Sequence, residues 1–457
     1  MLEVMEEKEK DVYLADFAKI STAAFPFAWL QRTRQSAIAR FGELGFPTLR
    51  DEEWRFTNVA PIARIPFRRS TPTALTQVNA DALAPFIVDG IRLVFVNGHF
   101  SKSLSTTAGL PAGVSACALS AASEKESKLI EANLAKHACF KDQVFVALNT
   151  AFIEDGAFIH IPKGLVLETP IQLIFASTSA ANGQPVVSHP RNLIVAEESS
   201  QATIIESYIG IGGSGGASYF TNAVTELVAG KNAVVDHYKA QQESLDAFHV
   251  ATIQILQDKS STVSSTSVSL GGAIVRNNVN AVLNAEGCEC TLNGLYMVDG
   301  QQLVDNHTMI DHAKPHCNSH ELYKGILSGK SKGVFNGKIF VRPDAQKTDA
   351  KQTNKALLLS DDATINTQPM LKIYADDVKC THGATIGQLD KQQLFYLRSR
   401  AIGESEALGI LTFAFANDIV HRIKEKGLQH QLEKALSKIL NRPMDLLDVD
   451  GTETGGV

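Results

Sequence analysis

A step of about 30 residues recurs through the middle of this chain, and it leaves little room for ordinary α/β topology. The turns EESSQATI, VAGKNAVV, QDKSSTVS, EGCECTLN, SGKSKGVF and SDDATINT align with one another. With Ala202, Ala233, Thr262, Cys290, Gly333 and Ala363 as equivalents, the intervals are 31, 29, 28, 43 and 30. Between these turns lie only short runs rich in β-formers, such as VFVAL (144–148), AFIHIP (157–162), IQLIFA (171–176), NLIVA (192–196) and TIIESY (203–208). None has room for a crossover helix. A strand-only repeat of this length is the signature of a solenoid whose stacked coils bury one continuous core. The expectation is therefore a mainly β chain with a parallel β-helix over 136–388, and an insertion in the 43-residue interval. A β-sandwich is the alternative.

The flanks read differently. Residues 1–135 are mixed and partly helical. In FAWLQRTRQSAIARFGELGFP, residues Trp29, Leu30, Ala37, Ile38 and Phe41 fall near helical spacing, and Gly45 and Pro47 are stop signals. IRLVFVNGHF (91–100) reads as a strand entering an Asn-Gly turn. Residues 389–457 turn helical. Asp390 is a candidate N-cap for LDKQQLFYLRSRAI. ESEALGILTFAFANDIVHRIKEKG follows, with Gly427 as its stop. A last run puts Leu428, Leu432, Ala435, Leu436, Ile439 and Leu440 on one face. The three runs are expected to pack on one another, and DGTETGGV to form a disordered tail.

Charge and composition narrow the function. A net charge of −6, from 43 basic and 49 acidic residues, argues against a nucleic-acid-binding body. ALGILTFAFA (407–416) is the best apolar run and is far short of the roughly 20 residues of a membrane span. The acidic N-terminus lacks the apolar core of a secretory leader. Six cysteines in 457 residues do not make a disulfide framework. The cytoplasm is the expected location.

Three stretches invite chemistry. GILSGKS (325–331) resembles a phosphate loop, but only three residues separate Gly325 from Gly329 where the motif needs four, and β-runs follow it. HTMIDHAKPHCNSH holds His307, His312, His316, Cys317 and His320. Imidazole and thiolate suit zinc, copper or iron. The spacing fits no common zinc pattern, and Pro315 breaks any helix that would align them. A solvated histidine-rich strand pair is the simpler reading. Cys288 and Cys290 in CEC read as small core residues, and Cys117 and Cys139 carry no pattern. YADDVKCTHGATIGQLD (374–390) sets Cys380 and His382 two apart, hence side by side on one face of a strand. Two ligands do not complete the four-coordinate site of an iron–sulfur cluster. Alone, the pair is half a site or none. No nucleophile elbow, HExxH or dinucleotide fingerprint follows the right elements.

The run KTDAKQTNKALLLSDDATINTQPMLKIYADDVKCTHGATIGQLDKQQLFYLRSR closely resembles the SufBD family of the SUF iron–sulfur cluster assembly system. RDEEWRFTNV, VNGHFS and PHCNSHELYKGILSGKSKGVFNGKIFVRPDAQ resemble it as well. GQLD after the Cys-x-His motif favours the SufD branch over SufB. The resemblance covers nearly the whole chain. It implies a right-handed parallel β-helix between helical regions and a cytosolic complex with SufB and the ATPase SufC. SufB would be met through the β-helix, and SufC through C-terminal helices carrying Leu394, Phe395, Tyr396, Phe413 and Phe415. His382 and Cys380 fall on the family's motif implicated in cluster formation, with His382 the metal candidate. The implied role is a non-catalytic scaffold. It would carry an iron–sulfur cluster only transiently, together with SufB, and have no ATP site, nucleic-acid partner or membrane partner of its own. Self-association in isolation is left open. The alternatives are a stand-alone metal or redox protein built on His307–His320, and a β-helix carbohydrate-active enzyme, for which no export signal or paired-carboxylate context is found.

Overall fold

The computed structural model describes residues 2–20, 27–70, 78–178, 183–212 and 218–440; the DGTETGGV tail lies outside them. Two long sheets run side by side, and successive strands alternate between them. Phe248–Gln257, Ile274–Leu283, Leu303–His312, Lys332–Val341 and Thr364–Ile373 pair in order in the first sheet. Gln201–Ile211, Val234–Gln242, Thr262–Ser269, Glu289–Val298, Asn318–Leu327, Asp349–Leu358 and Lys379–Gly387 pair in order in the second. All these ladders are parallel. A parallel pair needs a crossover, usually helical; here the crossover is a strand of the opposite sheet. That is a β-solenoid, and it rules out the sandwich.

The register revises the repeat. Ala202 pairs with Val235, Val235 with Val263, Val263 with Cys290, Cys290 with Ser319, Ser319 with Ala350, and Ala350 with Cys380. The step stays near 30 residues throughout. There is no insertion after Cys290. Gly333 and Ala363 lie at corners of the other sheet: Gly333 pairs with Val304 and Ile365. The 43-residue interval came from passing between two equally turn-rich corners of the coil.

One of those corners is built the same way on coil after coil. Ser199, Ser260, Gly287, His316 and Lys347 have φ of 58, 55, 76, 59 and 62°. Each precedes a small buried polar residue: Ser200, Ser261, Cys288, Cys317 and Thr348. The hydroxyls of Ser200, Ser261 and Thr348 donate to the carbonyl three residues back, at 2.7, 2.6 and 2.9 Å. The corner thus satisfies a carbonyl that leaves the ladder as the chain turns.

The interior is apolar at the N-terminal coils, where Ile159, Ile194, Leu227, Ile255 and Ala281 stack. Helices cover both outer faces. Leu30–Leu44 buries Ala37, Ile38 and Phe41 against Val144–Ala151 and the first sheet, and ends at Gly45 with φ 64°. VFVAL is therefore helix, not strand: all eight residues of Val144–Ala151 are buried. An apolar run buried on every side has no periodicity to betray its type. Ile91–Val96 and His99–Phe100 form the hairpin expected around Asn97-Gly98.

On the other side, Glu404–Val420 and Lys426–Ile439 pack onto the second sheet through Phe413, Ala416, Ile419, Leu428, Leu432 and Leu436. They dock on the solenoid as well as on each other. Gly427 is not a helix stop; it lies inside the last helix, which Glu425 caps. The break comes at His421–Glu425, where the Lys424 N–H donates to Tyr238 Oη and its Nζ pairs with Asp236 at 2.9 Å. Ile439 turns outward.

GILSGKS has a place in this scheme. Gly325 lies opposite Tyr296, whose ring fills the space a Cβ would need. Gly329, at φ 61°, makes the turn, and a strand follows. The stretch is a coil corner, without the helix N-terminus on which a phosphate loop depends.

Candidate functional site

The solenoid ends in an open coil. Thr364–Ile373 and Lys379–Gly387 are the terminal strands of their sheets, each paired on one side only. Lys379–Gly387 is largely exposed and Thr364–Ile373 half-buried to exposed. A Cβ added at Gly383 or Gly387 would meet nothing within 4 Å. Tyr374 and Ile386 stand 61% and 47% exposed at this end.

Cys380 and His382 lie on this last strand, on one face. Cys380 is half-buried against Ile339, Val341, Ala350 and Ala375. Burial and the neighbouring Asp349 charge push its thiol above its usual range. His382 is exposed and continues a polar column: Glu321 pairs in register with Gln352, and Gln352 with His382. Gln352 Nε2 donates to Glu321 Oε2 at 2.7 Å. Burial raises the Glu321 carboxyl to about 7, two coils beneath the mouth. Neither Gln352 nor Glu321 was singled out from the sequence. Their signal is an offset of one and two coils from His382, readable only once the register is known.

The histidines of 307–320 do not converge. His307 lies between Asp305 and Glu53, at 3.1 and 3.3 Å. His312 is buried with Nε2 2.9 Å from Ser319 Oγ. His316 and His320 are exposed, and Cys317 is buried. Among the described residues, no group of three His, Cys, Asp or Glu side chains is placed to hold a metal ion. His307 instead anchors the RDEEWRFTNV segment: Glu53 also meets Lys338, Trp54 lies under the Arg276 guanidinium, and Thr57 hydrogen-bonds Asp305. The hydrogen bond from His307, with help from Lys338, holds Glu53 down at about 2 against its desolvation.

The buried histidines make stability depend on pH. Burial pushes His312 down to about 4, with Asp311 opposing, and His189 to about 3, with Arg69 adding to the effect. Both are neutral in the fold, whereas in the unfolded chain they titrate near 6.5. Their contribution is complete above that value and is lost as pH falls toward 4. For His312 the loss is about 3 kcal/mol by pH 4, at about 1.4 kcal/mol per pKa unit. Melting curves between pH 7 and 4 should show a falling Tm, with a shallower slope in His312→Gln. An identical slope in that variant would remove His312 from the account.

Of the five residues expected to meet SufC, Phe395 and Tyr396 are 72% and 56% exposed, and Leu394 is intermediate. Phe413 is buried against the second sheet, and Phe415 is half-buried, with Lys324 Nζ 4.5 Å from its ring centroid. These two face inward because their helix uses that side to cover the solenoid.

The family models resolve the chain. The SUF system FeS cluster assembly SufBD core domain matches residues 177–415, and the SufBD protein N-terminal region matches 5–173. The chain belongs to the SufBD family. Among its relatives, an iron–sulfur cluster assembly SufBD family protein of Synechocystis is 36% identical over 89% of this chain and 90% of the relative. The iron–sulfur cluster assembly protein SufD of Escherichia coli is 32% identical over 87% and 90%, and that of Bacillus subtilis 27% over 90% and 94%. As a SufBD protein, the chain is a SUF-system iron–sulfur cluster assembly protein with a mainly β solenoid between helical ends. Among its described residues no helix is long and apolar enough to cross a membrane.

Proposed function

We propose that this SufBD protein is a non-catalytic, SufD-type scaffold subunit of a cytoplasmic SufBCD complex. It pairs with SufB through the open coil, docks the SufC ATPase through the Lys391–Ser399 helix, and contributes His382 to a cluster held transiently as cargo. The observation that carries this reading is the open coil itself. Repeat proteins cap their last repeat with a polar face, and exposed strand edges are ordinarily blunted. Here the last coil is uncapped and carries Tyr374, Ile386, Cys380 and His382. A second solenoid is the partner whose shape continues it. SufC docking is supported by the adjacent exposed aromatics Phe395 and Tyr396, the residue types that anchor interfaces.

Co-expression with SufB and SufC tests both contacts together. The double variant Tyr374→Lys/Ile386→Lys should lose SufB and keep SufC. Phe395→Ala/Tyr396→Ala should lose SufC and keep SufB, with binding weakened at least tenfold, about 1.4 kcal/mol. Point variants serve better than removal of 390–457, which would bare the apolar sheet face under Phe413, Ile419 and Leu432. Wild-type complexes from both double variants would refute the assignment of surfaces. A chain that assembles only with a second copy of itself would refute the SufB role.

A further inference from the structure

Two consecutive rungs of the corner ladder carry thiols where others carry hydroxyls. Cys288 Sγ lies 3.1 Å from Ala285 O and 3.2 Å from Asp258 O. Cys317 departs from the pattern: its Sγ reaches across to the neighbouring coil and meets the same Ala285 O at 3.2 Å. The two thiols thus converge on one acceptor. The backbone sets them in register: Asn318 N–H donates to Cys288 O at 2.9 Å, and Glu289 pairs with Asn318. Neighbouring strands lie about 4.8 Å apart, within the Cα span a disulfide bridges. Gly287 and His316 turn both cysteines inward with similar positive φ. Both thiols are fully buried, one residue inside turns whose Asn284, Glu286 and His316 are exposed. Serine, threonine and, at Ala233, alanine close this corner elsewhere, so the fold alone does not call for sulfur.

We propose that Cys288 and Cys317 are a peroxide-responsive dithiol that closes into a disulfide between neighbouring coils. The interaction with Cys317 holds the Cys288 thiol below its ordinary range and raises that of Cys317, so Cys288 is the attacking thiolate. Its sulfur displaces hydroxide from hydrogen peroxide and becomes a sulfenic acid. The Cys317 sulfur then attacks it, the S–S bond forms, and the hydroxyl leaves as water with the Cys317 proton. In sum, two thiols are oxidised by two electrons and one peroxide is reduced to two waters. A thiol reductant reverses the bond by exchange.

The test uses the full chain with Cys139→Ser, which removes the exposed thiol. The protein is pulsed with hydrogen peroxide, denatured and alkylated, and its modified thiols are counted by mass. Two fewer alkylated cysteines are expected, both restored by dithiothreitol, with a linked Cys288–Cys317 peptide after proteolysis. Cys288→Ser and Cys317→Ser each recreate a serine rung and should show no loss. An unchanged count, the same loss in either variant, or irreversible gain of two oxygens per thiol would overturn the proposal.

Discussion

Glu226→Ala should destabilise the protein by about 3–5 kcal/mol, the cost of leaving a buried charge without its partner. Arg191 and Glu226 are both fully buried, with Nη2 and Oε2 2.6 Å apart. The carboxylate also accepts the backbone N–H groups of Ala135, His137 and Ala138, at 2.7, 2.7 and 2.9 Å. Arg191 continues to Asn149 and Thr150 at the end of the Val144–Ala151 helix. Burial would raise the Glu226 pKa; Arg191 and the N–H groups outweigh it and hold the carboxyl below its usual value. This pair pins the segment 133–151 to the solenoid. Hydrogen exchange should therefore rise first in that segment, with a fall in Tm. The apolar double variant Arg191→Met/Glu226→Leu should recover part of the loss, since no charge is then stranded. Wild-type exchange and Tm in Glu226→Ala would show the clamp to be unimportant.

The second large effect is functional. His382→Ala should cut cluster formation by the assembled complex about tenfold or more, the scale of losing a group from a metal site. Stability should change by less than about 0.5 kcal/mol because the side chain is exposed. Cys380→Ala should do much less: its thiol packs in an apolar cluster and is held protonated. Cluster absorbance of the purified complex and cluster yield in cells are the readouts, with subunit composition as control. A His382→Ala complex matching wild type in both would reduce the motif to ornament of the last strand.

The solenoid was legible because its corners repeat in composition; which corner belonged to which sheet was not. SGKSKGVF and EGCECTLN look alike because both make tight turns between strands, yet they serve opposite sheets. VFVAL read as strand because Val and Phe favour strands and a helix buried on all sides shows no stripe. The Cys-x-His face was readable from strand alternation alone. Its setting was not, since an uncapped mouth depends on Lys379–Gly387 being the last coil. The inward turn of Phe413 and Phe415 depends on a docking face that local sequence does not encode.

The repeated corner makes the body of this protein a ruler with fixed divisions. Each coil advances the stack by one strand spacing, about 4.8 Å, whatever its own length. The separation between the Arg191 clamp and the His382 mouth therefore changes only in whole steps, by gain or loss of a complete coil. Residues added within a turn bulge outward and leave that separation alone. A relative with one coil more would present the same mouth to its neighbour, displaced along the axis by a single division.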